Sequence, residues 1–250
     1  MEDLDKYTDS YEDSFPYSKD NYGVLLAYSE KVIDACNKFQ KKIDICSLGI
    51  GYESVSYSIY ENLKNKIQSY VVIEGSQVLI DRYKSNKKNF PSNFKIVHSY
   101  FEHFESEPCF DLIEMGFVLE HVDDPEAIIK RFVKFLKPGG VICAAVPNAL
   151  SMHRVLGFRA NLLEDPYKLN EWDIKLGHKR YFDRDTFRSI FEKSGLIITK
   201  EEGLMLKPFA TSQISSLNLP ETVWNVLVHS GDLSPRYAYC LYVEICIPEK

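Results

Sequence analysis

Three histidines lie where an imidazole could act as a general base. His121 follows an apolar run in VLEHVDDP, His153 lies in PNALSMHRV, and His178 lies in KLGHKRYF. Because the pKa of a free imidazole is about 6.5, it can take a proton from a hydroxyl at neutral pH. We predict all three as catalytic candidates, with His153 foremost because Asn148 and Arg154 would face a substrate beside it. Each has a structural alternative, such as packing beneath a ligand or fixing a loop by a hydrogen bond.

A group of basic side chains accompanies these histidines in a chain that carries a formal net charge of -6. Guanidinium groups bind carboxylate and phosphate groups through paired hydrogen bonds. The group therefore predicts a small anionic substrate, held by Arg154 and Arg180 together with Asn148. The alternative is that these are ordinary solvated charges. The members of the group are Arg154, Arg159, Lys179 and Arg180.

A glycine turn, SLGIGYE, follows the first apolar run and contains Gly49 and Gly51. Glycines in such a turn let the backbone approach a ligand closely. Glu74 ends the next apolar run, and an acid about 20 residues after the turn commonly accepts hydrogen bonds from ribose hydroxyls. A surface carboxylate at a strand end is the alternative for Glu74. Ser54 replaces the third glycine of the dinucleotide pattern and Glu53 would repel a phosphate, which counts against NAD.

The elements that must position these residues alternate between strand and helix. The runs IDICSL, SYVVIEG, FKIVHSY, FDLIEMGFVL and VICAAVP predict five strands. Asp124 and Pro125 predict a helix start after the fourth strand, and KPGG is expected to end that helix. This alternation predicts an α/β fold with a doubly wound, mostly parallel sheet covered on both faces. LIITKEE and YAYCLYVEICI predict two closing strands, the second antiparallel.

Two boundaries divide the chain. Residues 1–40 comprise a tyrosine-rich polar arm and a helix, and we predict that the arm closes over ligands as a lid, with Tyr17 against the substrate. A loosely packed arm is the alternative. Residues 41–250 are expected to form the sheet domain. Within it, residues 148–182 show no clear period and are predicted to be an insertion on the substrate side.

Composition argues against several classes of protein. The acidic chain lacks the basic face of a nucleic-acid binder. No apolar run approaches the ~18 residues of a membrane span. None of the six cysteines forms a CxxC pair, so we predict no metal site. The N-terminus is acidic rather than signal-like, which predicts a cytoplasmic protein. Monomer and homodimer both remain open.

The glycine turn and the acid that follows it resemble the class I S-adenosylmethionine-dependent methyltransferases. The first motif of that family is an acidic residue followed by x-G-x-G-x-G. Gly49 and Gly51 match it, whereas Ser47 replaces the acid and Glu53 replaces the third glycine. The resemblance implies that Ser47 or Glu53 contacts the methionine part of the donor and that Glu74 binds its ribose.

A longer match lies further along the chain, and the whole resemblance covers roughly residues 40 to 200. FDLIEMGFVLEHVDDPEAIIKRFVKFLKPGGVICAAVPN resembles the fourth strand, Leu-Glu-His turn and helix of small-molecule methyltransferases of the bacterial type. GHKRYFDRDTFRSIFEKSGL resembles their later Gly-His segment. The match implies that Tyr100 and Phe101 stack on adenine and that Glu120 lies beside the cofactor. It also implies a seven-stranded sheet with the last strand antiparallel; the alternative for Phe101 is a core position.

The resemblance implies S-adenosyl-L-methionine as cofactor and S-adenosyl-L-homocysteine as product. The acceptor is expected to be an oxygen or nitrogen of a small anionic metabolite, such as a phosphorylated or nucleotide-linked sugar of a bacterial polysaccharide pathway. Two alternatives stay open. Because Ser47 and Glu53 depart from the motif, the fold could have lost catalysis and serve as a binding or assembly partner. An NAD-dependent oxidoreductase is less favoured.

Overall fold

The computed structural model of the chain describes residues 4–11, 17–86, 91–107 and 109–248. Its strands are β1 (Ile43–Leu48), β2 (Ile67–Glu74), β3 (Phe94–His98), β4 (Phe110–Gly116), β5 (Leu136–Pro147), β6 (Ile197–Leu204) and β7 (Cys240–Cys246). They form one seven-stranded sheet in the order β3-β2-β1-β4-β5-β7-β6. The pairs from β3 to β5 are parallel, and β7 runs antiparallel to both β5 and β6. The predicted fold class is therefore confirmed.

Helices cover the sheet on both faces. They are α1 (Ser18–Asn37), α2 (Ser54–Leu63), α3 (Gln77–Asn86), α4 (Pro125–Val133), α5 (Met152–Arg159), α6 (Glu171–Lys175), α7 (Arg184–Glu192), α8 (Thr211–Ser216) and α9 (Glu221–His229). Tyr28 and Val32 of α1 belong to one hydrophobic cluster, and Ile129 and Phe132 of α4 belong to another. No helix among the described residues combines the length and the apolar character that crossing a membrane requires.

Helix starts follow the predicted signals. The Asp124 side chain accepts a hydrogen bond from the Ala127 N–H at 3.0 Å, and Pro125 is the first residue of α4. Asp183 caps α7 by accepting from the Thr186 N–H at 2.7 Å. These bonds satisfy backbone donors that the first helical turn leaves unpaired. Local side-chain chemistry thus decides where both helices begin.

The KPGG turn differs from its prediction. Helix α4 ends at Val133, and the turn residues lie inside β5, which begins at Leu136. Phe110 pairs with Leu136 and Leu112 pairs with Val141, so extra residues bulge out between the two pairs. Gly139 adopts a φ of 74° there, a conformation that favours glycine.

Two excursions leave the sheet. Residues 148–182, expected to be an insertion, hold α5 and α6 and return to the sheet through a bridge between Asn148 and Phe182. Residues 205–236, for which we predicted no element, hold α8 and α9 between β6 and β7. Helix α9 packs closely on α1, where a Cβ on Gly23 would lie 2.9 Å from Val228.

The described part of the N-terminal arm lies over the carboxyl edge of the sheet. It forms a 3-10 helix, Leu4–Tyr11. Asp5 accepts a hydrogen bond from the Ser76 hydroxyl at 2.6 Å, just after β2. On the other side, a Cβ on Gly177 would lie 3.2 Å from the Tyr7 ring. The arm therefore connects the loop after β2 with the 148–182 segment.

Candidate active site

A cavity of about 910 Å³ opens at the carboxyl edge of the sheet. Loops after β1, β2, β3, β4 and β5 contribute to its walls, as do α5 and the arm. Its volume is near the upper end of the roughly 300–1,000 Å³ typical of small-molecule sites. Open α/β sheets bind ligands at this edge, where the strand order reverses between β1 and β4. The predicted site residues that line it are Tyr17, Gly49, Gly51, Glu74, Tyr100, Phe101, Glu120, His121, Asn148, His153, Arg154 and His178.

The glycine turn and Glu74 form one hydrogen-bonded unit. Gly49 and Gly51 have φ angles of 85° and 47°, which explains why glycine occupies both positions. Glu74 accepts hydrogen bonds from the Ile50 N–H at 2.8 Å and the Ser76 N–H at 2.7 Å. Burial raises the pKa of Glu74, and these backbone donors oppose the rise. The carboxylate thus holds the turn in place while it faces the cavity.

Tyr100 and Phe101 face this turn from the loop after β3. A Cβ on Gly49 would lie 3.9 Å from Phe101, and a Cβ on Gly75 would lie 3.6 Å from Tyr100. The other side of Phe101 meets Phe132 at 6.4 Å between ring centroids, so this ring also closes the core. Together the two rings form an aromatic wall that a flat base could contact.

The two residues expected to contact the methionine part of a donor lie outside the cavity lining. Ser47 is completely buried within β1, and its hydroxyl lies 2.8 Å from that of Tyr70. Glu53 accepts a hydrogen bond from the Asn86 side chain at 2.9 Å, at the surface. Both predictions are corrected, because β1 directs the first side chain into the protein interior and the start of α2 turns the second away from the ligand edge.

Glu114 is the acidic residue that reaches the cavity instead. It lies on β4 opposite Ser47, is only 3% exposed, and accepts a hydrogen bond from the Gly116 N–H at 2.7 Å. Burial raises its pKa to about 7, although hydrogen bonds from Gly116, Tyr28 and Ser47 oppose the rise. We did not predict this residue. The available signal was a glutamate inside the apolar run FDLIEMG, since buried carboxylates are rare without partners.

His121 and His178 meet although one follows β4 and the other lies near α6. Their ring centroids are 4.8 Å apart and their planes are nearly perpendicular. One ligand atom from each of Glu120, His121 and His178 lies within 4.8 Å of the others. Burial raises the pKa of Glu120 to about 8 and lowers those of His121 and His178 to about 3 and about 4. Carboxylate and neutral imidazole are metal ligands, and the prediction of no metal site considered only cysteine spacing.

His153 lies on another part of the same wall. Its Nδ1 is 3.2 Å from the Ser151 hydroxyl, and its ring meets Tyr239 at 5.6 Å between centroids. Burial lowers its pKa well below the usual value, and the positive charges of Lys207 and Arg154 add to the effect. The lowered pKa keeps the His153 imidazole neutral at pH 7 and makes it a weak base.

Arg154 lines the cavity, but most of its guanidinium is engaged by the protein. It donates hydrogen bonds to the carbonyls of Pro166 at 2.7 Å and Lys168 at 2.8 Å, and to the Tyr181 hydroxyl at 3.1 Å. Three of its five N–H groups are thus used within the 148–182 segment. Arg154 primarily holds this segment together, and only the remaining groups could reach a substrate.

Arg180 is not a cavity residue, which corrects its predicted role in substrate binding. Its guanidinium donates to the carbonyls of Val122 at 2.7 Å and Asp123 at 3.0 Å. The neighbouring Lys179 pairs with the Asp123 carboxylate at 2.6 Å. Arg159, also part of the basic group, is exposed. Lys179 and Arg180 therefore tie the 148–182 segment to the turn after β4.

Asn148 and Tyr17 line the cavity in different ways. The Asn148 amide donates to the carbonyls of Arg236 at 3.0 Å and Ala238 at 2.9 Å, so both of its N–H groups are engaged. Its predicted substrate contact is corrected to a structural role. The Tyr17 ring lies on the cavity wall, 5.6 Å from the Lys207 ammonium, and its contact with a substrate stays a prediction.

A buried ion pair that we did not predict joins α1 to the loop before α8. Lys207 contacts Asp20 at 2.5 Å, with the two side chains 3% and 1% exposed. The Thr211 hydroxyl also donates to Asp20, and the ammonium lies 4.3 Å from the centre of the Tyr239 ring. A lysine in an unassigned loop carries no local signal of such a partner 187 residues away.

Comparisons with known proteins agree with this architecture. The sequence profile of a family described as "Methyltransferase domain" matches residues 24–201. The chain is 32% identical over 103 residues to the ubiquinone biosynthesis O-methyltransferase of Nitrobacter winogradskyi, covering 40% of this chain and 37% of that protein. It is 28% identical over 123 residues to the mitochondrial ubiquinone biosynthesis O-methyltransferase of Mus musculus, covering 46% and 31%. The matched part of the chain thus spans about a third of the length of these curated relatives.

Solved structures share the fold at low sequence identity. An S-adenosylmethionine-dependent methyltransferase from Mesorhizobium loti superposes with a TM-score of 0.58 at 14% identity, covering 87% of this chain and 97% of that one. The N-methyltransferase NodS from Bradyrhizobium japonicum, in complex with S-adenosyl-L-homocysteine, gives 0.55 at 15% identity, covering 95% and 90%. The profile match over more than half of the chain establishes the relationship: this protein belongs to the methyltransferase-domain family of class I S-adenosylmethionine-dependent methyltransferases.

Proposed function

We propose that this protein transfers the methyl group of S-adenosylmethionine to a hydroxyl oxygen of a small molecule. The observation that carries the proposal is a single cavity that joins the glycine turn and Glu74 to a wall containing His153. Methyl transfer from a sulfonium is an in-line displacement, so the protein mainly has to align two reactants and exclude water. One continuous cavity beneath an N-terminal arm suits that task.

The nucleoside end of the donor fits beside Glu74. The carboxylate has about four lone-pair sites, of which Ile50 and Ser76 engage two. The remaining sites can accept hydrogen bonds from the two ribose hydroxyls. Tyr100 and Phe101 supply the aromatic surface for adenine.

The methionine end of the donor fits beside Glu114. This end carries an ammonium group, and the Glu114 carboxylate is buried at the cavity floor beside Gly116. Burial without a cation holds its pKa near 7, and an adjacent ammonium would favour the ionised form. Glu114 therefore provides the charge complement that Ser47 does not.

The acceptor is best described as an uncharged, ring-bearing compound with a hydroxyl group. Among the described residues, the cavity is lined by three lysine and arginine side chains, and protein groups already engage all of them. Arg154 donates to backbone carbonyls, and Lys179 and Lys207 pair with carboxylates. The surrounding wall is aromatic and aliphatic, with contributions from Tyr239 and Leu156. The curated relatives carry the name O-methyltransferase, which favours oxygen over nitrogen.

A phosphorylated or nucleotide-linked sugar is the second candidate. Two N–H groups of Arg154 are not accounted for by its protein contacts, and Lys207 lies on the same wall. A phosphate that displaced part of these contacts would find positive charge nearby. The sugar would then present its hydroxyl toward the donor.

His153 is proposed as the general base. It is neutral at pH 7 because burial and nearby cations lower its pKa, so it can accept the acceptor hydroxyl proton as the carbon–oxygen bond forms.

The 3-10 helix Leu4–Tyr11 is proposed as the lid. Its contacts through Asp5 to Ser76 and through Tyr7 to Gly177 bracket both ends of the cavity.

Calorimetric titration with S-adenosylmethionine, S-adenosylhomocysteine and NAD in parallel tests the donor. We expect micromolar binding of the first two and none of NAD. An acceptor screen then compares hydroxylated aromatic compounds with sugar phosphates and nucleotide-sugars, with formation of S-adenosylhomocysteine measured by mass spectrometry. Failure of both nucleoside ligands to bind would contradict the proposal and favour a fold that has lost its cofactor.

A further inference from the structure

We propose that Glu120, His121 and His178 bind a divalent transition-metal ion at the wall of the cavity. One ligand atom from each side chain lies within 4.8 Å of the other two. Two imidazoles and one carboxylate suit first-row ions such as Mn²⁺ and Zn²⁺, whereas Mg²⁺ and Ca²⁺ prefer oxygen ligands. Three protein ligands also leave coordination positions open to a substrate oxygen.

The buried Glu120 carboxylate points to a cation. Glu120 is only 1% exposed, and neither of its oxygens has a hydrogen-bond partner among the described residues. The buried Nδ1 of His178 has none there either. Unpartnered polar groups of this kind are rare in protein interiors because burying them costs free energy. Carboxylate and imidazole coordination to one ion would satisfy both residues.

A proton shared among Glu120, His121 and His178 is the alternative to a metal ion, and it explains their unpartnered polar atoms less well. A proton on Glu120 would make the carboxyl group a hydrogen-bond donor, but neither of its oxygens bonds to His121 or His178. The ion would bring the positive charge that stabilises the ionised Glu120 carboxylate.

The two chain segments that carry the ligands are fastened to each other. The Lys179 N–H donates to the Glu120 carbonyl at 2.8 Å, and the Arg180 guanidinium donates to carbonyls on the turn that follows. Nδ1 of His178 lies 3.6 Å from the Asp173 carboxylate, which is beyond hydrogen-bond distance. The cluster is therefore held in place before any ion arrives.

The chemical role of the ion rests on the methyl transfer proposed above. An acceptor hydroxyl bound to the ion would become more acidic. Its O–H bond would break with the proton passing to His153, and the oxygen would form a bond to the methyl carbon. The S–CH₃ bond would break with its electron pair staying on sulfur, which leaves neutral S-adenosylhomocysteine. His153, a weak base because its pKa is lowered, is suited to a hydroxyl acidified in this way.

The test is metal binding by the EDTA-treated, dialysed full chain. Calorimetry with Zn²⁺ and Mn²⁺, and separately with Mg²⁺ and Ca²⁺, should show one transition-ion site per chain. Glu120→Gln and His178→Asn should each weaken that site at least ten-fold, whereas His229→Asn, at an exposed histidine of α9 away from the cavity, should leave it unchanged. Circular dichroism confirms that each variant is folded.

Absence of a stoichiometric site, equal affinity in Glu120→Gln, or a preference for Mg²⁺ and Ca²⁺ would overturn the inference. Titration of the same metal-free samples with S-adenosylhomocysteine separates this inference from the proposed function. Donor binding without a metal site would overturn the metal inference alone. If folded wild-type protein does not bind S-adenosylhomocysteine, the result would instead count against the proposed function.

Discussion

Ser47 and Glu114 lie opposite each other on the adjacent strands β1 and β4, and only Glu114 reaches the cavity. Ser47 occupies the position at which the family motif carries an acid, yet its hydroxyl is turned to Tyr70 at 2.8 Å. The carboxylate beside the glycine turn thus comes from the neighbouring strand. A parallel pairing makes this exchange possible because side chains in register project from the same face of the sheet.

Glu114→Gln should weaken binding of S-adenosylhomocysteine roughly ten- to a hundred-fold, because a charge-assisted hydrogen bond contributes about 1.5–3 kcal/mol. Binding of 5′-methylthioadenosine, which lacks the amino-acid part, should change little. Calorimetry with both ligands measures the difference. Equal loss for the two ligands would show that Glu114 acts on the fold of the site and not on the ammonium group.

The same carboxylate predicts a pH dependence. Because burial raises the pKa of Glu114 to about 7, affinity for S-adenosylhomocysteine should rise as pH increases through 7 and level off above it. The free energy of unfolding changes in the opposite sense: from pH 4.5 toward 7 the native carboxyl keeps a proton that the unfolded chain has lost, so its contribution falls as pH rises. Affinity profiles of wild type and Glu114→Gln test this, and a parallel rise in the variant would assign the effect to another group.

His153→Asn should reduce turnover at saturating donor and acceptor by about 10²–10⁴-fold, the usual contribution of a general base. Donor affinity should stay within two-fold of wild type, roughly the scatter of such titrations. Steady-state kinetics and calorimetry on the same preparation provide the two numbers. His229→Asn, at an exposed histidine of α9 away from the cavity, is the matched control. Normal turnover with weakened donor binding would show that His153 binds the donor and does not act as the general base.

Lys207→Met should lower the free energy of unfolding by about 3–5 kcal/mol, because it leaves the Asp20 carboxylate buried without its cation. The double variant Asp20→Asn with Lys207→Met should recover most of the loss. Urea unfolding measures all three proteins. Lys168→Ala, at an exposed pair with Glu164, should leave stability unchanged. A double variant no more stable than Lys207→Met would mean that the pair matters through packing rather than through charge.

Short-range sequence pattern was sufficient to predict the sheet and the cofactor side of the ligand edge. Apolar runs, helix caps such as Asp124, and the spacing from Gly51 to Glu74 are encoded within a few tens of residues. They depend on backbone conformation and on the alternation of strands and helices, which neighbouring residues largely specify. Residue type and spacing therefore predicted that Gly49, Gly51 and Glu74 lie at one edge of the sheet, whereas the hydrogen bond from the Ile50 N–H to Glu74 is visible only in the structure.

On the acceptor side of the cavity, tertiary structure decided which side chains are available to a substrate. Whether Arg154 is available to a substrate depends on carbonyls that fold around it, and the Arg180 guanidinium is used by the turn after β4. The cluster of Glu120 with His178, and the pairing of Lys207 with Asp20, join residues that are distant in the chain. Sequence determined which chemical groups this protein has and at which edge of the sheet they gather. Only the packed fold decided which of them face the cavity, because burial and hydrogen bonding between distant segments settle that competition.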